Sequence, residues 1–338
     1  MKIAVHHTEV GGFSERWISY LKEINAVFKI VNCYDSNIVE QLNDCQVLMW
    51  HFSHLHPKDT LFAKQLLMSL EQSGLKVFPN TKTMWHFDDK VGQKYLLELI
   101  KVPIVPSFVF YSKKEATNWI YNQKFPLVFK LRGGAGSVNV KLVKNIHEGK
   151  KLVNKSFGVG FRNDSIVPPK DIYVRLIKRK ASLLSLLKSC YHYLIPSEFA
   201  RNSGKERGYV YFQKFVPNND SDIRVIVIDE KAFAIKRMVR DNDFRASGSG
   251  HILYEKDFFN DETVRLAFET TKKLKSQCVA FDFVYQDDKP LIVEISYGFN
   301  PKGYDKCTGY WDKDLNWHEG NFNPYGWMVD GLLKQLNE

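Results

Sequence analysis

Residues 278–296 read CVAFDFVYQDDKPLIVEIS, two apolar runs joined by Gln286-Asp287-Asp288-Lys289, each interrupted by a lone acid, Asp282 or Glu294. β-Branched and aromatic residues on either side of a polar turn predict a β-hairpin. Side chains alternate across a strand, so both acids can point to one face, toward each other. Two carboxylates brought together on buried strands repel unless a cation lies between them. Oxygen ligands of this kind suit a Mg2+ ion that also holds substrate phosphates. The competing reading pairs each acid separately with a nearby Lys or Arg.

Upstream, YVYFQKFV (209–216), DIRVIVID (222–229) and KAFAIKRMV (231–239) continue the β pattern, and the polar loop RDNDFRASGSG (240–250) follows them. This stretch carries Arg224, Lys236, Arg237, Arg240 and Arg245. Arginine's planar fork matches carboxylate and phosphate, so the cluster suits a transferring phosphoryl group and an acidic substrate, unless it is simply a solvated basic face. Further back, Lys130 ends the apolar run PLVFK and stands before Arg132-Gly133-Gly134-Ala135-Gly136-Ser137. Such glycines let backbone N–H groups approach phosphate oxygens, although the spacing is not that of a Walker loop and a plain hairpin turn also fits.

The first eighty residues alternate strand-like and amphipathic runs (KIAVH, SERWISYLKEI, AVFKIVN, QVLMW, PKDTLFAKQLLMSLEQ, KVFP), the pattern of βαβ units and a parallel sheet. Helices are predicted at about 88–100, 113–122 and 261–276, and residues 160–208, with Pro168, Pro169 and Pro196, read as an insertion. The chain of 338 residues is long enough for two or three domains, and its net charge of +10 favours anionic partners. Five scattered cysteines without a CxxC pair argue against a disulfide framework or a zinc site. No run approaches a membrane span, and MKIAVHHTEV lacks the apolar stretch of a signal peptide, so a cytoplasmic protein is the expectation.

Taken in order, the blocks at 88–107, 125–143, 209–229, 232–250 and 279–296 resemble the ATP-grasp superfamily. The resemblance is to its carboxylate-amine ligase branch, which includes glutathione synthetase and the ribosomal-protein glutamate ligases. It implies an α/β (α+β) fold of three lobes: an N-terminal α/β domain (1–85), a small central lid (86–215) carrying the insertion, and a C-terminal antiparallel-sheet domain (216–338), with ATP between two sheets. By the same resemblance, Lys90 and Lys130 contact phosphate, and Gly133, Gly134, Gly136 and Ser137 form a loop over the phosphates. Gln213, Lys214, Phe215 and Val216 form the adenine-reading hinge, Asp222 and Arg224 a D-x-R motif, and Lys236, Arg237 and Arg245 the cationic strand and loop. Asp282 and Glu294 match the magnesium ligands. The family commonly has Asn two residues beyond the second acid; here that place is taken by Ser296, which shifts a third contact to Ser296 itself, Asn300 or water.

The activity so implied uses ATP and Mg2+ to turn a carboxylate into an acyl phosphate that an amine converts to an amide. The same ATP residues also serve a kinase with a hydroxyl acceptor. No nucleic-acid signature is present, and the carboxylate pair opposes a phosphate backbone. The tail, Tyr310 to Trp327, is rich in aromatics among polar residues, which suits either sugar stacking or packing. It also resembles tails of ATP-grasp proteins associated with surface polysaccharide synthesis, implying a uronic acid or sugar-linked carboxylate as substrate. A basic amphipathic stretch at 172–195, carrying Arg175, Lys178, Arg179, Lys180 and Lys188, fits either lid packing or peripheral contact with an anionic membrane. His51, His54 and His56 follow a strand end where open α/β sheets bind ligands, and Gly11-Gly12-Phe13-Ser14 leads into a helix with Ser14 as its expected cap. A homo-oligomer is compatible with all of this.

Overall fold

The computed structural model describes residues 2–8, 12–54, 56–134, 139–162, 172–173, 176–177, 182–195, 198–240, 243–248 and 250–337. The chain divides into two compact units, the first made of residues 1–54, 58–105 and 216–338, the second of 55–57 and 106–215.

The first unit opens with the expected alternation: β1 (Ile3–His6), α1 (Ser14–Glu23), β2 (Phe28–Val31), β3 (Val47–Met49), α2 (Pro57–Gln72), β4 (Lys76–Phe78) and α3 (Lys90–Leu99). The strands form a parallel sheet in the order β2-β1-β3-β4. The two central strands, β1 and β3, are buried: Ile3, Val5, Val47 and Leu48 are fully enclosed. Helix α3 begins where Asp89 accepts a 2.9 Å bond from the Gly92 N–H, which places Lys90 in its first turn.

The second unit contains β5 (Ser107–Phe110), α4 (Lys113–Tyr121), β6 (Leu127–Lys130), β7 (Lys141–Val143), α5 (Ile146–Ser156), α6 (Leu183–Leu194) and β8 (Val210–Lys214). Its antiparallel sheet runs β5-β8-β6-β7 around a core that includes Ile120, Phe129, Val153 and Phe212. Within the basic stretch, residues 172–173 and 176–177 are helical, and α6 starts at Leu183, where Ser182 and Ser185 form a reciprocal capping box. Arg175 and Lys178 to Lys180 lie outside the described residues.

Back in the first unit, β9 (Ser221–Ile228), β10 (Lys231–Met238), α7 (Asp261–Leu274), β11 (Cys278–Gln286), β12 (Lys289–Ser296), β13 (Gly309–Asp312), β14 (Trp317–Glu319) and α8 (Pro324–Asn337) complete the chain. The main path of the seven-stranded sheet is β12-β11-β9-β10-β13-β14. One face packs Val225, Ala234, Phe281 and Phe283 against Val264 and Ala267 of α7. On the other face, Ile226, Phe233 and Ile235 join Trp17, Leu67 and Met328 in a single core. Residues 1–85 and 216–338, expected as separate lobes, therefore share one interior. Helix α8 reinforces this: Trp17 Nε1 donates to Met328 Sδ at 3.4 Å, and the Tyr20 hydroxyl donates to Asp330 at 2.9 Å. Among the described residues, no helix is long and apolar enough to cross a membrane.

Candidate active site

Cross-strand register assembles the site. Arg224 on β9 lies opposite Asp282 on β11, and Asp282 lies opposite Glu294 on β12, so three charged residues form one row across three strands. Direct partners in a ladder face the same way, which is why the two acids of the hairpin converge. A register shift just beyond Asp282 marks a bulge at this point of the ladder. Two residues up β9, Asp222 lies opposite Arg237 of β10 on the same face.

The groups hold one another. Arg237 donates twice to Asp222, at 2.6 Å each, and its Nη2 lies 3.0 Å from Asp282 Oδ2. Arg224 Nε is 2.8 Å from Asp282 Oδ1, a distance of ion pairing, but the alignment is poor and neither atom makes a hydrogen bond. Lys90 Nζ lies 3.7 Å from Glu294 Oε2. Burial alone would lower both arginines, but Asp282 beside them keeps Arg224 and Arg237 above the usual guanidinium value. Burial pushes the Asp222 carboxyl up and Arg237 pulls it down; with two short bonds to a guanidinium that stays charged, the pair is ionic at neutral pH. Three cations (Lys90, Arg224, Arg237) thus face three acids (Asp222, Asp282, Glu294).

The donor set fits a magnesium ion. Asp282 Oδ1 is buried without a hydrogen-bond partner, and Glu294 stands beside it in the ladder with its side chain about one-third exposed (32%). A buried carboxylate oxygen left without a donor is costly and is the kind of ligand a hard cation takes. Among the described residues no group of three or more His, Cys, Asp or Glu converges on one point. The Ser296 hydroxyl is committed to its own turn, donating to Gly298 O at 2.9 Å and accepting from Gly298 N at 3.2 Å. Asn300 Oδ1 accepts from Lys302 N at 3.2 Å. Both proposed third ligands thus have local work.

Other residues singled out by sequence distribute differently. Lys236 sits next to Arg237 on β10 and opposite Ile223, so strand alternation sends it to the α7 side of the sheet, where its ammonium lies 5.3 Å from the Phe258 ring. Arg245 is gripped by Asp243, with bonds of 2.6 and 2.9 Å. In the second unit, Lys130 is buried at the end of β6, and Gln213 Nε2 donates to Ser107 Oγ at 3.0 Å. Lys214 Nζ donates to Gln123 at 2.8 Å. Phe215 ends this unit and Val216 resumes the first. Gly133 N donates to Glu206 at 3.3 Å and Arg132 N to the Tyr209 hydroxyl at 2.6 Å, which fixes the stem of the glycine-rich loop. Gly134 has a φ of +104°, a conformation that favours glycine. Gly136 and Ser137 lie outside the described residues.

His51 stacks on Phe13 with centroids 3.7 Å apart, and burial drives its pKa down to about 3. His54 falls to about 4, chiefly by burial and then by the charge of Lys90. Both are therefore neutral polar groups. Ser14 is the first helical residue rather than the cap; its hydroxyl accepts from Thr8 N at 3.0 Å. Two further residues support the site without an obvious motif. Gln93 accepts from Ile295 N at 3.2 Å and donates to His86 O at 3.0 Å, tying α3 to β12. Tyr304 lies against Arg224. Only the helical spacing of Gln93 from Lys90, three residues on, hints at the first of these.

Comparison with known proteins agrees with this architecture. Residues 165–310 match the RimK-like ATP-grasp domain. No curated protein matches the chain by sequence. Among solved structures, a RimK domain ATP-grasp protein from Sphaerobacter thermophilus is 13% identical, with a TM-score of 0.57 over 98% of this chain and 100% of that one. D-Alanine–D-alanine ligase from Bacillus anthracis is 15% identical, with a TM-score of 0.55 over 99% and 96%. N5-carboxyaminoimidazole ribonucleotide synthetase from Thermotoga maritima is 12% identical, with a TM-score of 0.59 over 98% and 75%. The chain therefore has the fold of these ATP-grasp proteins, and its residues 165–310 are similar to the RimK-like ATP-grasp domain.

Proposed function

We propose that the protein is an ATP-dependent, ADP-forming carboxylate-amine ligase. The observation that carries this reading is the row Arg224–Asp282–Glu294, which sets an unsatisfied buried carboxylate oxygen between an arginine and a second acid. Asp282 and Glu294 would hold Mg2+, which when bound neutralises phosphate charge. Lys90 and Lys130 bind phosphate oxygens, and Gln213 to Val216 offer backbone groups to adenine. Arg237, kept charged and oriented by Asp222, is available to a substrate carboxylate or to the transferring phosphoryl group.

The chemistry follows from leaving groups. A carboxylate oxygen attacks the γ-phosphorus, the bond to the β-phosphate oxygen breaks, and ADP leaves. An amine nitrogen then attacks the acyl carbon, phosphate leaves, and the nitrogen sheds a proton. Positioning and charge neutralisation suffice, and no enzyme nucleophile is needed. The RimK-like match and the ligases among the structural neighbours support this class, and the aromatic tail supports a carbohydrate-linked substrate in surface polysaccharide synthesis.

Hydroxylamine trapping tests it. The protein, Mg2+ and ATP are incubated with a panel of amino acids, uronic acids and nucleotide-linked uronic acids, and the products are read by mass spectrometry. An ATP-dependent hydroxamate is the expected result. A stable phosphorylated product without hydroxamate would instead make the protein a kinase.

A further inference from the structure

Away from the row of charges, a cavity of about 500 Å3 lies between α1 and the segment preceding α8. That volume falls in the range of roughly 300–1,000 Å3 typical of small-molecule sites. Its lining mixes aromatic faces, Tyr20, Tyr304, Phe322 and Tyr325, with the amide and carboxylate side chains of Asn321 and Glu23. A sugar ring presents C–H faces to the first kind of group and hydroxyls to the second.

Two features show that the cavity is built rather than incidental. Tyr325 is 3% exposed, and its hydroxyl has no hydrogen-bond partner. A buried O–H left unpaired costs about 1–3 kcal/mol, so the wall of the cavity holds a donor that the protein itself does not use. Tyr20 is fixed from both ends: its hydroxyl donates to Asp330 at 2.9 Å, and Gly326 sits so close that a Cβ there would come within 3.0 Å of the ring.

Charge narrows the ligand. Arg16 is paired with Asp305 at 2.8 Å, so the lining is left with the negative charge of Glu23. An anionic sugar is disfavoured and an ammonium group favoured. The inner wall, Tyr304, lies against Arg224, so a single side chain separates the cavity from the arginine–carboxylate row from which an activated acyl group would be presented.

We infer that this cavity binds an amino sugar and that its amine is the nucleophile of the ligase reaction; the second half rests on the ligase reading, the first does not. The amine nitrogen forms the C–N bond as the acyl–phosphate bond breaks, and the nitrogen's proton passes to solvent or phosphate.

Saturation-transfer NMR on the full chain without nucleotide tests the site, using glucosamine and glucuronate as probes. Glucosamine should bind saturably, at least fivefold more weakly in Glu23→Gln and Asn321→Ala, and glucuronate should give no saturable signal. Both substitutions are at exposed positions, and melting temperatures would verify folding. Absence of glucosamine binding, binding unchanged in both variants, or equal binding of glucuronate would overturn the inference. Glucosamine binding without ATP-dependent hydroxamate formation from any acid would overturn the ligase reading and leave the site standing.

Discussion

Around the row of charges, the two faces of the seven-stranded sheet carry the same backbone and opposite chemistry. On the α7 side, Val225, Ala234, Phe281 and Phe283 are packed by Val264 and Ala267, and each contact is apolar. On the other side, Asp222, Arg224, Arg237 and Asp282 occupy adjacent places in the ladder and form ion pairs with one another, Arg224 Nε and Asp282 Oδ1 making no hydrogen bond. The difference shows how a fold separates its structural and chemical work by the period of the strand alone. The apolar face tolerates loss of volume at a cost in stability. The charged face cannot lose one member without stranding the others.

The largest effect is expected at Asp282. Asp282→Ala leaves two buried arginines without their shared partner, which costs about 3–5 kcal/mol and should lower turnover by orders of magnitude. Denaturant midpoints together with ADP formation would measure both, and near-normal activity would break the comparison. On the opposite face, Phe281→Ala should cost about 3–5 kcal/mol through the cavity it leaves, while the folded fraction keeps its turnover.

Buried histidine sharpens the picture from another direction. Burial, and then the charge of Lys64, holds His86 down at about 4, whereas an unfolded chain begins to protonate histidine near 6.5. The unfolded state therefore binds more protons between about pH 6.5 and 4, and stability falls as pH drops through that window. At full effect the stability lost amounts to about 3 kcal/mol. Urea midpoints at pH 7 and pH 4.5 should diverge less in His86→Phe than in the native chain; equal divergence would contradict the assignment.

The smallest effect belongs to Lys236. Because it sits on the α7 face beside Phe258, Lys236→Met should change stability by less than about 1 kcal/mol and turnover by less than Arg237→Met does. Equal losses of activity from the two substitutions would erase the distinction between faces.

The hairpin at 278–296 was legible because its acids stand out in apolar runs of period two, and the same period tells which neighbours must share their face. Strand alternation could also have separated Lys236 from Arg237, since adjacent strand residues point apart. Other features were not legible. The joint interior of residues 1–85 and 216–338 depends on packing between Trp17, Phe233 and Met328, which lie far apart in sequence. Ser296 and Asn300 look like ligands in one dimension, and only the turn geometry shows their oxygens engaged with Gly298 and Lys302. Tyr304 acquires meaning only when the loop after β12 brings it against Arg224. The aromatic tail packs at least in part, with Trp311 buried and Phe322 stacked on Trp327 at 5.2 Å, while Phe322 and Tyr325 line a cavity.

The central claim is that Asp282 and Glu294 together take a magnesium ion with the nucleotide. Calorimetric titration of a non-hydrolysable ATP analogue, with and without Mg2+, into the native chain and into Glu294→Gln tests it without knowledge of either substrate. Glu294 is partly exposed, so the variant keeps its fold. Magnesium should tighten nucleotide binding at least tenfold in the native chain and far less in Glu294→Gln. The same magnesium dependence in both proteins would contradict the account.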